Sequence, residues 1–77
     1  MKFLVIEIQK GKDGKIANLV TAHDRINDAQ AKYHTILAAA AKSGLPSHAA
    51  VILEENGSEI AHECYVNERE PEEVANE

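Results

Sequence analysis

The stretch DAQAKYHTILAAAAKSG, residues 28–44, repeats its apolar side chains at helical spacing in the middle of a 77-residue chain, and the segments on both sides of it are written for strands. At about 100° per residue, Ala29, Tyr33, Ile36, Leu37, Ala40 and Ala41 share one stripe. Asn27 stands three residues before Gln30, an approximate capping box, and Asp28 sits in the first turn, where the helix dipole favours negative charge. The spacing predicts a helix from about Asp28 to Ser43, capped by Gly44 and stopped by Pro46.

Before the helix, FLVIEI (3–8) and IANLVTAH (16–23) are rich in β-branched and aliphatic residues, and KGKDGK (10–15) between them supplies turn glycines. After it, AAVILEE (49–55) and SEIAHECYV (58–66) flank Asn56-Gly57, the favoured pair for a tight type I′ hairpin turn. The predicted fold class is α+β, ordered ββαββ: a four-stranded, mainly antiparallel sheet with one helix packed on one face. It occupies a single domain, residues 1–66. NEREPEEVANE (67–77) is acidic, contains Pro71, offers little to bury and is expected to be a disordered tail.

One helix cannot cover both faces of a sheet. Leu4, Ile6 and Ile8 are expected to meet it, with Val51 and Leu53, or Ile52, from the third strand. That leaves Phe3 and Val5, with Leu19 and Tyr65, on an uncovered second face. The outer helix face carries Ala31, Thr35, Ala38 and Ala39, interrupted by Lys42. Contiguous apolar surface usually marks contacts, and small residues let another backbone come close, so a homo-oligomer is expected. Alanine is also the best helix former, and an exposed-alanine monomer satisfies the same residues.

A chain this short is marginally stable alone and often adds a partner, a metal or disulfides. Cys64 is the only cysteine, which excludes a disulfide within one chain and fits a reducing cytosol. The apolar part of MKFLVIEIQK is too short for a membrane span and lacks a signal-peptide cleavage pattern, so a cytoplasmic location is expected, with no membrane partner. The net charge of −5 is unevenly spread. Residues 1–48 hold seven Lys/Arg against four Asp/Glu, a net of +3, and residues 49–77 hold one Arg against nine Glu, a net of −8. Without an overall basic footprint, direct nucleic-acid binding is not expected. The polarity suits head-to-tail contacts or an acidic surface offered to a basic partner.

Four histidines and a cysteine raise the question of a metal. His62 and Cys64 lie two apart on a strand, so they share a face about 6.6 Å apart, too far for an automatic chelate. No C-x-x-C or H-x-x-x-H spacing occurs, and neither metal nor cofactor is expected. Cysteine catalysis needs an oriented histidine and a thiolate-favouring site, which Cys64 among Ala61, Glu63 and Tyr65 does not signal. GKDG lacks the spacing of a phosphate loop and opens no helix. No catalytic residue is assigned, and the chain reads as a non-enzyme. A binding site is the stronger reading. His23 and Arg25 stand at the junction of the second strand and the helix, Lys32 and His34 flank the core stripe, and Tyr65 adds an aromatic. Cations, histidines, an aromatic ring and a helix N-terminus suit an anionic, base-containing ligand. The plainer alternative is that Arg25 and Lys32 are solvated and the histidines are ordinary surface residues.

MKFLVIEIQ, NLVTAHD, AKYHTILAAAAKSGLPSHAAVIL and ECY, in this order over residues 1–66, resemble a group of small bacteriophage and prophage proteins. The segment from Lys32 to Ala41 carries most of the likeness. The resemblance implies a small accessory protein made in the cytoplasm of an infected host bacterium, of the kind that antagonises host defence by stoichiometric binding. It implies no catalytic residue. Two mechanisms follow: sequestration of a nucleotide-derived signal in pockets between subunits, or inhibition of a host defence protein by an acidic surface, as anti-CRISPR proteins do.

Overall fold

The computed structural model describes residues 2–67; the predicted tail, from residue 68 onward, lies outside the described residues. The elements run β1 (Phe3–Lys10), β2 (Ile16–His23), α1 (Ile26–Ala41), β3 (Ser47–Glu54) and β4 (Glu59–Val66). The strands form one antiparallel sheet in the order β2-β1-β3-β4, and α1 packs on one side of it. The predicted ββαββ architecture is therefore the observed one. No helix among the described residues is long and apolar enough to cross a membrane.

The two hairpins close in the same way. Gly14 N–H donates to Gly11 O and Gly11 N–H to Lys15 O; Gly57 N–H donates to Glu54 O and Glu54 N–H to Ser58 O. Each is a three-residue loop whose last residue is a glycine at positive φ, 85° for Gly14 and 95° for Gly57. The residue before each glycine braces the turn. Asp13 Oδ1 accepts from Lys15 N–H and Asn56 Oδ1 from Ser58 N–H, both at 2.9 Å. The type I′ expectation at Asn56-Gly57 is corrected: it requires positive φ at both residues, and among the described residues none but glycine has one.

The helix begins and ends earlier than predicted. Its N-cap is Arg25, in an extended conformation and without a side-chain cap hydrogen bond, so the Asn27–Gln30 capping box does not form. Its end tightens through Lys42 N–H to Ala39 O and Ser43 N–H to Ala40 O, both 3.1 Å. Gly44 has no positive φ and is not a left-handed cap.

The face assignment is also corrected. Val5, Ala50 and Ile52 are buried beneath Ala29, Tyr33 and Ile36 of α1, with Phe3, Ile26 and Leu37 packed around them. Register carries the odd residues of β1 and the even residues of β3 to the same side, since Val5 pairs with Ile52 and Glu7 with Ala50. The helix thus covers the Phe3/Val5 face. The face left open is the one with Leu4, Ile6 and Ile8 of β1 and Ala49, Val51 and Leu53 of β3. The reason lies in size and pairing. Ala29, Ala40 and Ala50 are all fully buried, so the helix settles where small side chains admit its backbone. The polar residues on that face are partly consumed by one another, as Glu7, Gln9 and His48 show. The more apolar face of the sheet is the uncovered one.

Candidate functional site

The helix packs least on the β2 edge, and the candidate site lies there. Leu19, on the helix side of β2, is 56% exposed. Beside it runs a shallow depression of about 150 Å³, lined by Glu7, Gln9, Ala17, Asn18 and Leu19. Its inner wall is a hydrogen-bonded group. His48 Nε2 lies 2.6 Å from Glu7 Oε2, and Gln9 Nε2 donates to the same oxygen at 3.0 Å. His48 is 4% exposed, and its Nδ1 is buried without a hydrogen-bond partner. Nε2 is the ring nitrogen engaged by Glu7, with the Gln9 amide a further 3.4 Å contact.

The helix α1 runs beside the depression without lining it. Tyr33 leans toward β4, where burial and then the carboxylates of Glu63 and Glu59 hold its phenol above the usual range. Lys32 precedes Tyr33 by about 100° around the axis. Lys32 therefore sits on the β2 side of α1, while Arg25, the extended N-cap, stands at the His23 end of β2. His23, at the end of β2, faces the same side of the sheet and is held by Thr21, whose Oγ1 lies 2.9 Å from His23 Nε2.

His34 turns the other way, toward β4, with its ring set edge-on to Tyr33 at 5.4 Å and 67°. Tyr65 stands on the helix side of β4, in line with His48. The five residues singled out in the sequence therefore divide in one chain: His23, Arg25 and Lys32 on the β2 flank, His34 and Tyr65 on the β4 flank. His23 and Tyr65 occupy opposite corners of the sheet, roughly 25 Å apart by strand spacing and rise.

Nothing in the sequence marks Glu7 and Gln9 as site residues, and His48 reads there as an ordinary histidine. The available signal was the interruption of the apolar β1 by Glu7 and Gln9, two apart and therefore on one face. Their meeting with His48 depends on β1–β3 register, which no local pattern specifies.

Cys64 is exposed on the open face, with Sγ 3.4 Å from Ser47 Oγ. His62 shares that face, but its Nδ1 is engaged 2.5 Å from Glu59 Oε2, so no histidine is oriented on the thiol. Among the described residues no group of three or more His, Cys, Asp or Glu side chains is placed to hold a metal ion.

Comparison with family models, with curated proteins and with solved structures yields no match. The site is accordingly read on its own chemistry. Lys32 supplies a charge-assisted donor from the β2 flank of α1, Gln9 supplies an amide, and Leu19 and Ala17 supply an apolar floor. Such a groove suits a small anion that also carries a flat or apolar part.

Proposed function

We propose that the chain acts by binding rather than by catalysis, and that it holds a small anionic, nucleotide-derived ligand in the groove between α1 and β2. The observation that supports this reading is the depression over β1 and β2 lined by Glu7, Gln9, Ala17, Asn18 and Leu19, with Lys32 on the flank of α1 that faces β2. A non-catalytic role is supported by His48. It is held by a carboxylate, yet its second nitrogen is sealed from solvent, where a general base would need access to substrate. His34 and Tyr65 join the same site only if a neighbouring copy brings its β4 flank to the β2 flank, which makes a homo-oligomer part of the proposal. The biological setting, a phage-type accessory protein that antagonises defence in a host bacterial cytoplasm, rests on the resemblance of residues 1–66 described above.

The test is calorimetric titration of the protein with cyclic and linear nucleotides. Arg25→Ala and Lys32→Ala are each expected to weaken binding about tenfold or more, the worth of one charge-assisted contact. Absence of heat with every nucleotide would turn the reading to its alternative, a protein inhibitor with an acidic surface. One observation favours that alternative: Glu54, Glu55, Glu59 and Glu63 gather on the β3–β4 hairpin, and residues 43–67 contain no Lys or Arg.

A further inference from the structure

We infer that the open face of the sheet is the interface of a homodimer, in which a second copy stacks its own open face on the first with the twofold axis parallel to the strands. This assembly is distinct from the one that would bring His34 and Tyr65 to the ligand groove, and it does not rest on the ligand reading, because α1 and its groove stay on the outside of both copies.

The two faces of the central strands differ in a way that a monomer does not explain. The covered face carries Glu7, Gln9, His48 and Glu54 among its apolar residues, whereas the open one carries Leu4, Ile6, Ile8, Ala49, Val51 and Leu53. The edge strand continues the open patch, with Ile16 60% and Val20 51% exposed. Burial of apolar area drives association, and a contiguous patch of this extent on a small domain marks an interface. Four strands of eight residues give a footprint of roughly 19 by 23 Å, and its corrugated accessible area from two copies approaches the roughly 1,200 Å² at which stable interfaces begin.

The rim of the patch is polar. At one end Lys2 is ion-paired to Asp24 and its backbone N–H donates to Glu55; at the other stand Lys10 and Ser47. An apolar centre within a polar rim is the anatomy of a protein interface.

Self-complementarity selects a second copy and its orientation. A twofold axis along the strands lays β1 over β3 of the partner and β2 over β4 of the partner, row on row. Leu4 then meets Leu53, Ile6 meets Val51, the large Ile8 meets the small Ala49 and Ile16 meets Val66, and Val20 meets His62, an apolar position set on a polar one. Lys10 meets Ser47, and Asn18 meets Cys64, polar positions set on polar ones. The net charges agree: the β3–β4 half is acidic, the β1–β2 half carries Lys2, Lys10, Lys12 and Lys15, and this axis superposes the two. An axis across the strands would instead set Lys10 on Leu4.

Sedimentation equilibrium of the full chain, without ligand, tests the assembly. At tens of micromolar the wild type is expected at twice its 8.4 kDa chain mass. Val51→Lys, at the centre, is expected to raise the dimer dissociation constant at least a hundredfold. Val20→Lys, on the exposed edge strand where folding is not at risk, is expected to raise it at least tenfold while far-ultraviolet circular dichroism stays native. A wild type that sediments at 8.4 kDa, or a folded Val20→Lys with an unchanged dimer constant, overturns the interface. Orientation is read with a bismaleimide of about 8–10 Å reach, since stacked sheets lie about 10 Å apart. Asn18→Cys is expected to cross-link to Cys64 of its partner, and the wild type, whose two Cys64 thiols lie on opposite edges, is expected not to. Efficient cross-linking of the wild type overturns the axis.

Discussion

Glu7 bonds His48 diagonally across β1 and β3, two residues along from its direct partner Ala50, at 2.6 Å beneath the helix. The His48 side chain is 5% exposed and that of Glu7 18%, so the pair acts as an interior link. Glu7→Ala leaves the imidazole N–H unsatisfied and is expected to cost about 1–3 kcal/mol in urea unfolding. Glu7→Gln keeps an acceptor in place and is expected to cost less than half as much. Equal losses in the two variants would show that packing, not the hydrogen bond, is what Glu7 supplies.

Gly14 and Gly57 close equivalent loops at φ of 85° and 95°, with open space where a Cβ would stand. The obstacle to a side chain is therefore the backbone conformation alone. Gly14→Ala and Gly57→Ala are each expected to lower stability by about 1–2 kcal/mol, and Gly57→Asn by less, because asparagine tolerates the left-handed region better. Thermal unfolding of the three variants checks both the size and the order.

The elements are legible in the sequence because each writes its period locally: alternating or β-branched runs for the strands, a 3.6-residue stripe for α1, glycines for the turns. The face of the sheet is not legible, and β1 shows why. Phe3, Leu4, Val5 and Ile6 are all apolar, so both parities can be buried, and Glu7 and Gln9 argue for putting the odd face outward. What decides the matter is non-local: Ala50 joins Ala29 in one buried cluster, and His48 comes within reach of Glu7, as β1–β3 register dictates. The same holds for the site. Arg25, Lys32 and His23 are visible as types near one junction, but their separation from His34 and Tyr65 follows from which way α1 rolls over the sheet. The Asn27-to-Gln30 spacing matches a capping box, yet the chain enters the helix two residues earlier, from an extended Arg25.

On the exposed β4 edge, Glu59 Oε2 lies 2.5 Å from His62 Nδ1. That hydrogen bond and the charge of Glu59, with a further push from Glu63, hold the imidazole above its ordinary value. A group whose value is raised on folding contributes stability that is fully present below its unfolded value and disappears as pH rises through its folded one. The contribution therefore fades just above the ordinary imidazole range, about 6.5. Glu59→Gln is expected to return the His62 titration, followed by NMR of its ring protons, toward that value. An unmoved midpoint in the variant would mean that the contact does not persist in solution.

The alanines of α1 have two roles, and substitution separates them. Ala40 is fully buried against the sheet, whereas Ala38 and Ala39 face outward. Ala40→Leu forces extra volume between helix and sheet and is expected to cost about 1–3 kcal/mol. Ala39→Leu adds the same volume into solvent and is expected to change stability by less than about 0.5 kcal/mol. Ala38→Glu adds a charge to the outer face and, with the dimer built on the sheet, is expected to leave the sedimentation constant of the dimer unchanged. If Ala38→Glu instead yields a folded monomer, the helix back is the primary interface, and the second copy approaches over the alanines.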